Sequence, residues 1–110
     1  MFCKIANGEI ESAVVHKDAD VVAFEDIKPG APVHIIVIPT RHIERVSDIR
    51  ESDAGLTGKL ILIAAELARK RGIERSGYRL VINCGENAGQ VVPHLHLHLL
   101  GGRKFAWPPG

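Results

Sequence analysis

Three histidines alternate with leucines in His94-Leu95-His96-Leu97-His98-Leu99-Leu100. Extended backbone sends successive side chains to opposite faces, so on a strand the imidazoles share one face and Leu95, Leu97 and Leu99 the other. The chain has 6 histidines, and half of them fall in this run. A solitary histidine on a sheet surface usually has no chemical role. Three in register with the pleat are poorly explained by chance. A metal site is one reading, since two histidines two apart on a strand commonly share a zinc ion. At roughly 3.3 Å per residue, however, the backbones of His94 and His98 stand about 13 Å apart, against zinc–nitrogen bonds of about 2.0–2.1 Å. A row of that length fits a linear substrate better than a point charge.

Chemistry at phosphorus fits the row best. Phosphoryl groups are anionic and repel anionic nucleophiles. Neutral imidazole avoids that repulsion and forms a labile phosphorus–nitrogen bond. Neighbouring imidazoles can hydrogen-bond the phosphoryl oxygens when protonated, or pass a proton to the leaving group.

The elements that must position these residues are legible in outline. Ala13–His16 and Val21–Phe24 read as short strands joined by a turn at Lys17–Asp20. Lys28-Pro29-Gly30-Ala31-Pro32 is a loop. Val33–Ile38 is a β-branched strand stopped by Pro39. Asp48–Ser52 is polar and turn-like. Ser52 or Asp53 can cap a helix running to about Arg71, with Gly72 as its stop. Leu56, Leu60, Ile63, Ala64 and Leu67 recur at helical spacing, and Ile61 and Ala68 widen the stripe. Tyr78–Asn83 is a strand, Gly85–Gln90 a glycine-bearing loop, and Val91–Leu100 the last long strand, ended by Gly101-Gly102. The tail Phe105–Gly110 is irregular. Strands, one long helix, then strands argue for an α+β fold with an antiparallel sheet of about five strands. No glycine-rich phosphate loop precedes a helix.

Composition narrows the function classes. The 110 residues are 45% hydrophobic and 25% charged, a balance that indicates a globular domain rather than a disordered one. No linker or repeat divides them, so the expectation is a single domain over 1–110. The net charge of +1 is no footprint of a nucleic-acid-binding protein. Arg69-Lys70-Arg71 at a helix end complements the helix dipole instead. The longest aliphatic run, Leu60–Ala65, is too short to span a bilayer. Cys3 and Cys84 make no disulfide framework and no signal peptide is evident, so the default location is cytoplasmic.

The run His-Leu-His-Leu-His-Leu-Leu resembles the histidine triad pattern, in which histidines alternate with apolar residues. The flanking Gly89-Gln90-Val91-Val92-Pro93 and Gly101-Gly102-Arg103 match as well. Phe2-Cys3-Lys4-Ile5 with Gly8-Glu9-Ile10 is similar to the N-terminal signature of the histidine triad (HIT) superfamily. Phe24–His34 resembles its nucleoside-binding segment. Val37-Ile38-Pro39-Thr40-Arg41-His42-Ile43 and the closing Trp107-Pro108-Pro109-Gly110 resemble the Hint branch. Nearly the whole chain is covered.

The resemblance implies a hydrolase of purine nucleoside phosphoramidates and related adenylates such as aminoacyl-adenylate, working through a nucleotidyl-histidine intermediate. It implies His96 as nucleophile and His98 as the group that binds the α-phosphate and assists departure. It implies His94 and His34 as members of an orienting relay. Asn83 and the backbone around Gly89, Gln90 and Val91 would hold phosphate and ribose. Asp26 would accept hydrogen bonds from the ribose hydroxyls, a sensible task for a carboxylate in a loop. Phe2, Ile5, Ile10, Phe24, Ile27 and Ile36 would form an apolar slot for a purine. A dinucleoside polyphosphate hydrolase or nucleotidyl transferase is the nearest alternative, and a non-catalytic nucleotide-binding scaffold the next.

The resemblance further implies a two-fold homodimer, with Trp107 near the interface or the site entrance. The broad helix stripe is compatible with that. Two departures from the family pattern matter. Close relatives often carry a hydroxyl residue where Val91 stands, and valine offers no side-chain donor to a leaving group. Some bacterial relatives bind zinc through two cysteines and two histidines. Cys3, His42 and His94 supply three such ligands, short of the four usual in a structural site, so no metal and no cofactor are expected.

Overall fold

A computed structural model describes residues 13–110. Five strands form one antiparallel sheet in the order β1-β2-β3-β5-β4: β1 is Val14–Lys17, β2 Val21–Glu25, β3 Val33–Pro39, β4 Tyr78–Val81 and β5 Leu97–Gly101. One long helix, α1 (Ala54–Lys70), lies between β3 and β4 in sequence. The α+β reading and the antiparallel five-stranded sheet are both observed.

The β1–β2 hairpin closes where expected, and Asp18 is the reason. Its Oδ1 accepts the backbone N–H groups of Asp20 and Val21 at 2.8 and 2.9 Å, which folds the chain back on itself. The α1 helix packs on one face of the sheet. Leu60, Ile63, Ala64, Leu67 and Ala68 are buried there against Val21, Ala23, Ile35, Val37, Leu95, Leu97 and Leu99. Ile61, predicted to widen the stripe, is 47% exposed, and Leu62 is 64% exposed. The helix stops as Gly72 implies. Gly72 takes φ +73°, a conformation glycine adopts without a Cβ clash. The N–H of Ile73 then reaches the Ala68 carbonyl at 3.1 Å and that of Gly72 the Arg69 carbonyl at 3.1 Å. This pairing is a Schellman motif, completed by the burial of Ile73 in the core. Asp53 precedes α1, but its carboxylate serves the turn before the helix. It accepts the Arg50 N–H at 2.9 Å and pairs with Arg41.

Two strand boundaries differ from expectation. The last strand is Leu97–Gly101 rather than Val91–Leu100. Pro93 has no N–H to give a ladder. The His94 N–H turns back to the Val92 carbonyl at 2.9 Å, and the Leu95 N–H goes to the Ile43 carbonyl at 2.6 Å. His94 and His96 therefore precede the strand, and the flat row of three imidazoles on one strand face is not formed. Leu95, Leu97 and Leu99 still reach the core, at 2%, 1% and 0% exposure. Likewise β4 ends at Val81, not Asn83, because β5 offers partners only as far as His98. No helix among the described residues is long and apolar enough to cross a membrane.

Candidate active site

The face of the sheet away from α1 carries the candidate site. Alternation on β3 sends Ile35 and Val37 to the helix and His34, Ile36 and Ile38 to the other side. Cross-strand register aligns the neighbours in two rows. One runs Phe24–Ile36–His98–Val81, the other His34–Leu100–Arg79. Val22, Phe24, Ile36 and Ile38 pack into a second apolar cluster, with the half-buried Val92 against it. The predicted slot residues Phe24 and Ile36 are thus together. Ile27 is 78% exposed at the rim. Phe2, Ile5 and Ile10 lie outside the described residues, as does Cys3.

The hydrogen bonds fix where the ring protons sit. The Gly30 backbone N–H donates to His34 Nδ1 at 2.9 Å. A neutral His34 therefore carries its proton on Nε2, which donates to His98 Nδ1 at 2.8 Å. His98 in turn must carry its own proton on Nε2. The Asp26 carboxylate stands 3.5 Å from His34 Nε2, and its other oxygen accepts the Lys28 N–H at 2.8 Å. Burial pushes His98 down to about 4, helped by the neighbouring His96 and His34 and opposed by Asp26. Burial lowers His34 as well, against the pull of Asp26. Both rings are neutral near pH 7, so the chain from Gly30 through His34 to His98 has a defined direction.

His96 is held differently. Its Nδ1 lies 2.7 Å from the His94 carbonyl. A carbonyl only accepts, so Nδ1 bears the proton and the lone pair of the neutral ring resides on Nε2. The His96 ring meets the His98 ring edge-on at 5.0 Å. His94 is 2% exposed. Its Nε2 donates to the Pro39 carbonyl at 3.1 Å, and burial lowers it more than that bond raises it. The link from His94 to His96 thus includes the backbone carbonyl of His94.

Gln90 is engaged through its side chain. The carboxamide accepts the Gly85 N–H at 2.9 Å and donates to the carbonyls of Glu44 and Val92 at 2.8 and 3.1 Å. It ties together the loop that carries Gly89 and Val91. Val91 is 89% exposed on that loop. Asn83 and His98 line one cavity of about 550 Å³ with Ala106, Pro108, Pro109 and Gly110 of the tail. Trp107 sits among these tail residues and is 82% exposed. Gly30, Val81, Arg79, Arg103 and Phe105 line this cavity, and the sequence assigns them no site role. For Arg79 and Val81 the signal was present in the strand alternation. For Gly30 it was not, because the N–H of any residue but proline would have served.

As for metals, Asp26, His34 and His98 place ligand atoms within 4.8 Å of one another. The Gly30 N–H argues against an ion there, since metallation of His34 Nε2 would displace the proton that this hydrogen bond keeps on it. The His42 and His94 rings meet edge-on at 5.0 Å.

Known proteins share the fold that carries this geometry. The HIT domain family model matches residues 7–105. An uncharacterized HIT-like protein of Synechocystis is 47% identical over 110 residues, covering 100% of this chain and 96% of that one. The crystal structure of a HIT family hydrolase from Legionella pneumophila superposes with a TM-score of 0.98 at 47% identity, over 100% of this chain and 98% of that one. A histidine triad nucleotide-binding protein from Candida albicans gives 0.82 at 29% identity, over 97% and 81%. The family match spans the sheet, the helix and the histidine run, and the chain belongs to the HIT domain family.

Proposed function

We propose that this protein is a nucleotide hydrolase of the Hint branch, cleaving purine nucleoside 5'-phosphoramidates and related adenylates to the nucleoside monophosphate. The observation that carries the reading is the pair of opposed ring tautomers. His96 holds its proton on Nδ1 and His98 holds its proton on Nε2. One ring thus presents a lone pair and the next a proton, side by side. In the first step His96 Nε2 attacks the α-phosphorus, the phosphorus–nitrogen bond breaks, and the departing amine takes its electron pair and a proton. Water then attacks the nucleotidyl-histidine, the phosphorus–Nε2 bond breaks, the water gives up a proton, and the nucleoside monophosphate leaves.

His98 is neutral in the empty site. A bound phosphate meets this neutral ring at Nε2, whose N–H the His34 bond holds in place to donate to a phosphoryl oxygen. His98 assists departure by hydrogen-bonding the charge that develops there, while water carries the proton to the amine. The Phe24–Ile36 cluster suits a purine face, and Asp26, half-buried at the same edge, suits ribose hydroxyls. The hydrolase and nucleotide-binding descriptions of the relatives support the reaction class.

Assembly as a two-fold dimer over a single 1–110 domain belongs to the same proposal. β4 is an edge strand, with Leu80 and Ile82 each 37% exposed. Ile61 and Leu62 of α1 add exposed apolar surface. A monomer by light scattering at micromolar concentration would count against it.

The deciding experiment is turnover of a fluorogenic adenosine 5'-phosphoramidate by the wild type and by His96→Ala. The wild type turns over, and the variant loses at least about a thousandfold in kcat. Full activity in the variant removes His96 as nucleophile. No turnover in the wild type removes the phosphoramidate reading and turns attention to dinucleotides.

A further inference from the structure

On the site face His98 stands between two unlike halves. Toward β2 lie Phe24 and Ile36, the apolar seat. Toward β4 lies the cavity of about 550 Å³, walled by Val81, Asn83, Arg79, Arg103 and Phe105. A substrate whose base occupies the first half and whose phosphorus meets His98 must send its leaving group into the second.

That second half is cationic. The Arg79 guanidinium lies 5.1 Å and that of Arg103 4.3 Å from the centre of the Phe105 ring, so one aromatic ring fixes both. Their hydrogen bonds go to backbone carbonyls. Arg79 Nη2 donates to Ala106 at 3.1 Å, Arg103 Nη2 to Gly30 at 3.0 Å, and Arg103 Nη1 to Lys104 at 3.2 Å. Carbonyls orient a guanidinium without neutralising it. Arg41, Arg69 and Arg71 each pair with a carboxylate. Among the described residues Arg79 and Arg103 have no such partner. A guanidinium has five donors, and Arg79 uses one of them on Ala106.

We propose that this cavity is a leaving-group subsite and that Arg79, with Arg103, selects leaving groups bearing an anion, either a carboxylate or a phosphate, beyond the scissile bond. The inference rests on the hydrolase reading above. The anion is a bystander in the chemistry: the bond to the α-phosphorus breaks, the leaving atom takes the electron pair and a proton, and the carboxylate or phosphate leaves unchanged.

The test uses two adenosine 5'-phosphoramidates with the same alkylamine leaving group, one ending in a carboxylate and one in a carboxamide, and diadenosine triphosphate as the phosphate arm. The wild type favours the carboxylate over the carboxamide by about tenfold in kcat/KM, as expected for a charge-assisted hydrogen bond. In Arg79→Gln the ratio falls to about one, and Arg79→Lys keeps part of it. A larger loss in Arg79→Gln for the triphosphate than for the carboxylate identifies phosphate as the preferred anion. The reverse identifies carboxylate. A wild-type ratio near one together with undiminished triphosphate cleavage in Arg79→Gln overturns the proposal. So does a preference that survives in both Arg79→Gln and Arg103→Gln. Calorimetry of the same two phosphoramidates on His96→Ala separates this failure from failure of the hydrolase reading. Tighter carboxylate binding that disappears on adding Arg79→Gln supports the subsite whether or not any substrate turns over, and equal Kd values overturn it.

Discussion

Replacing His34 by alanine tests the direction of the proton chain. In the native protein Gly30 N–H fixes the His34 tautomer and His34 Nε2 donates to His98 Nδ1 at 2.8 Å. Without that donor, the half-buried His98 nitrogen loses the partner that sets its tautomer, and the ring is released to protonate at Nδ1 instead. A buried polar group left without its partner costs about 1–3 kcal/mol. Placed wholly on the transition state, that is a loss of about 5- to 150-fold in kcat. KM changes less, because His34 acts on the reacting groups through its bond to His98. His34→Gln keeps a donor near the Nε2 position while giving up the acceptor for Gly30, so it recovers part of the loss. Two measurements read the outcome: steady-state kinetics on a fluorogenic phosphoramidate, and the ring nitrogens of His98 by long-range proton–nitrogen NMR. The wild type shows His98 protonated at Nε2. A wild-type His98 protonated at Nδ1 would refute the reasoning outright. An unchanged kcat in His34→Ala would show that the hydrogen bond is ornamental to turnover.

Stability should fall on mild acidification. His98 is neutral in the fold down to about 4 against an ordinary 6.5, and burial lowers His34 and His94 in the same direction. Between those values the unfolded chain binds more protons, so stability is full above 6.5 and is lost as pH falls toward 4. Thermal melts across that window check this, and a flat or rising midpoint contradicts it. Asp18, held well below the usual carboxylate range mainly by its bond to His16, adds a separate loss only below its ordinary 3.8 and so does not blur the window. Gly102→Ala should destabilise by about 1–3 kcal/mol in denaturant titration. Its φ is +89°, and a Cβ there would meet Pro32 Cβ at 2.8 Å. A change below a few tenths would mean that the loop yields freely. Gln90→Ala removes three hydrogen bonds that brace the 85–92 loop. Nucleoside monophosphate Kd should rise several-fold with the fold intact, and an unchanged Kd would separate that loop from the phosphate.

Much of the fold was readable because its signals are local. The Asp18 turn, the Gly72 stop and the β3 alternation depend on neighbouring residues alone. The apolar stripe of α1 was readable in its buried part, Leu60 to Ala68. Ile61 was not, because whether an apolar residue at the stripe's edge is covered depends on what lies beside the helix. Asp53 holds the N-cap position but makes no side-chain cap bond, for a similar reason. A carboxylate before a helix can cap it, but here the long-range pair with Arg41 and the Arg50 N–H claim it first. The boundaries of β4 and β5 depend on each other across the ladder, so no local pattern could set them.

The histidine run is the instructive case. Alternation correctly assigned the leucines to the core, yet the equal spacing of the histidines concealed three unequal environments. Pro93 interrupts the ladder and the chain turns before His96. His94 is then buried with its ring against the Pro39 carbonyl and its own carbonyl turned to His96 Nδ1. His96 receives its tautomer from that carbonyl. His98, the one member on a regular strand, receives the opposite tautomer from His34 on the adjacent strand. Three identical side chains on one flat face would share one environment and titrate alike. Breaking the strand after the first two lets backbone carbonyls, which cannot change protonation, assign one ring to give electrons, while a backbone N–H relayed through His34 assigns the other to donate a hydrogen bond. The divergence of roles that phosphoryl transfer needs is therefore imposed by main-chain groups, which substitution leaves in place. That is why single-residue changes at His34 or His98 should shift rate and pH response separately, rather than abolish the site as a unit.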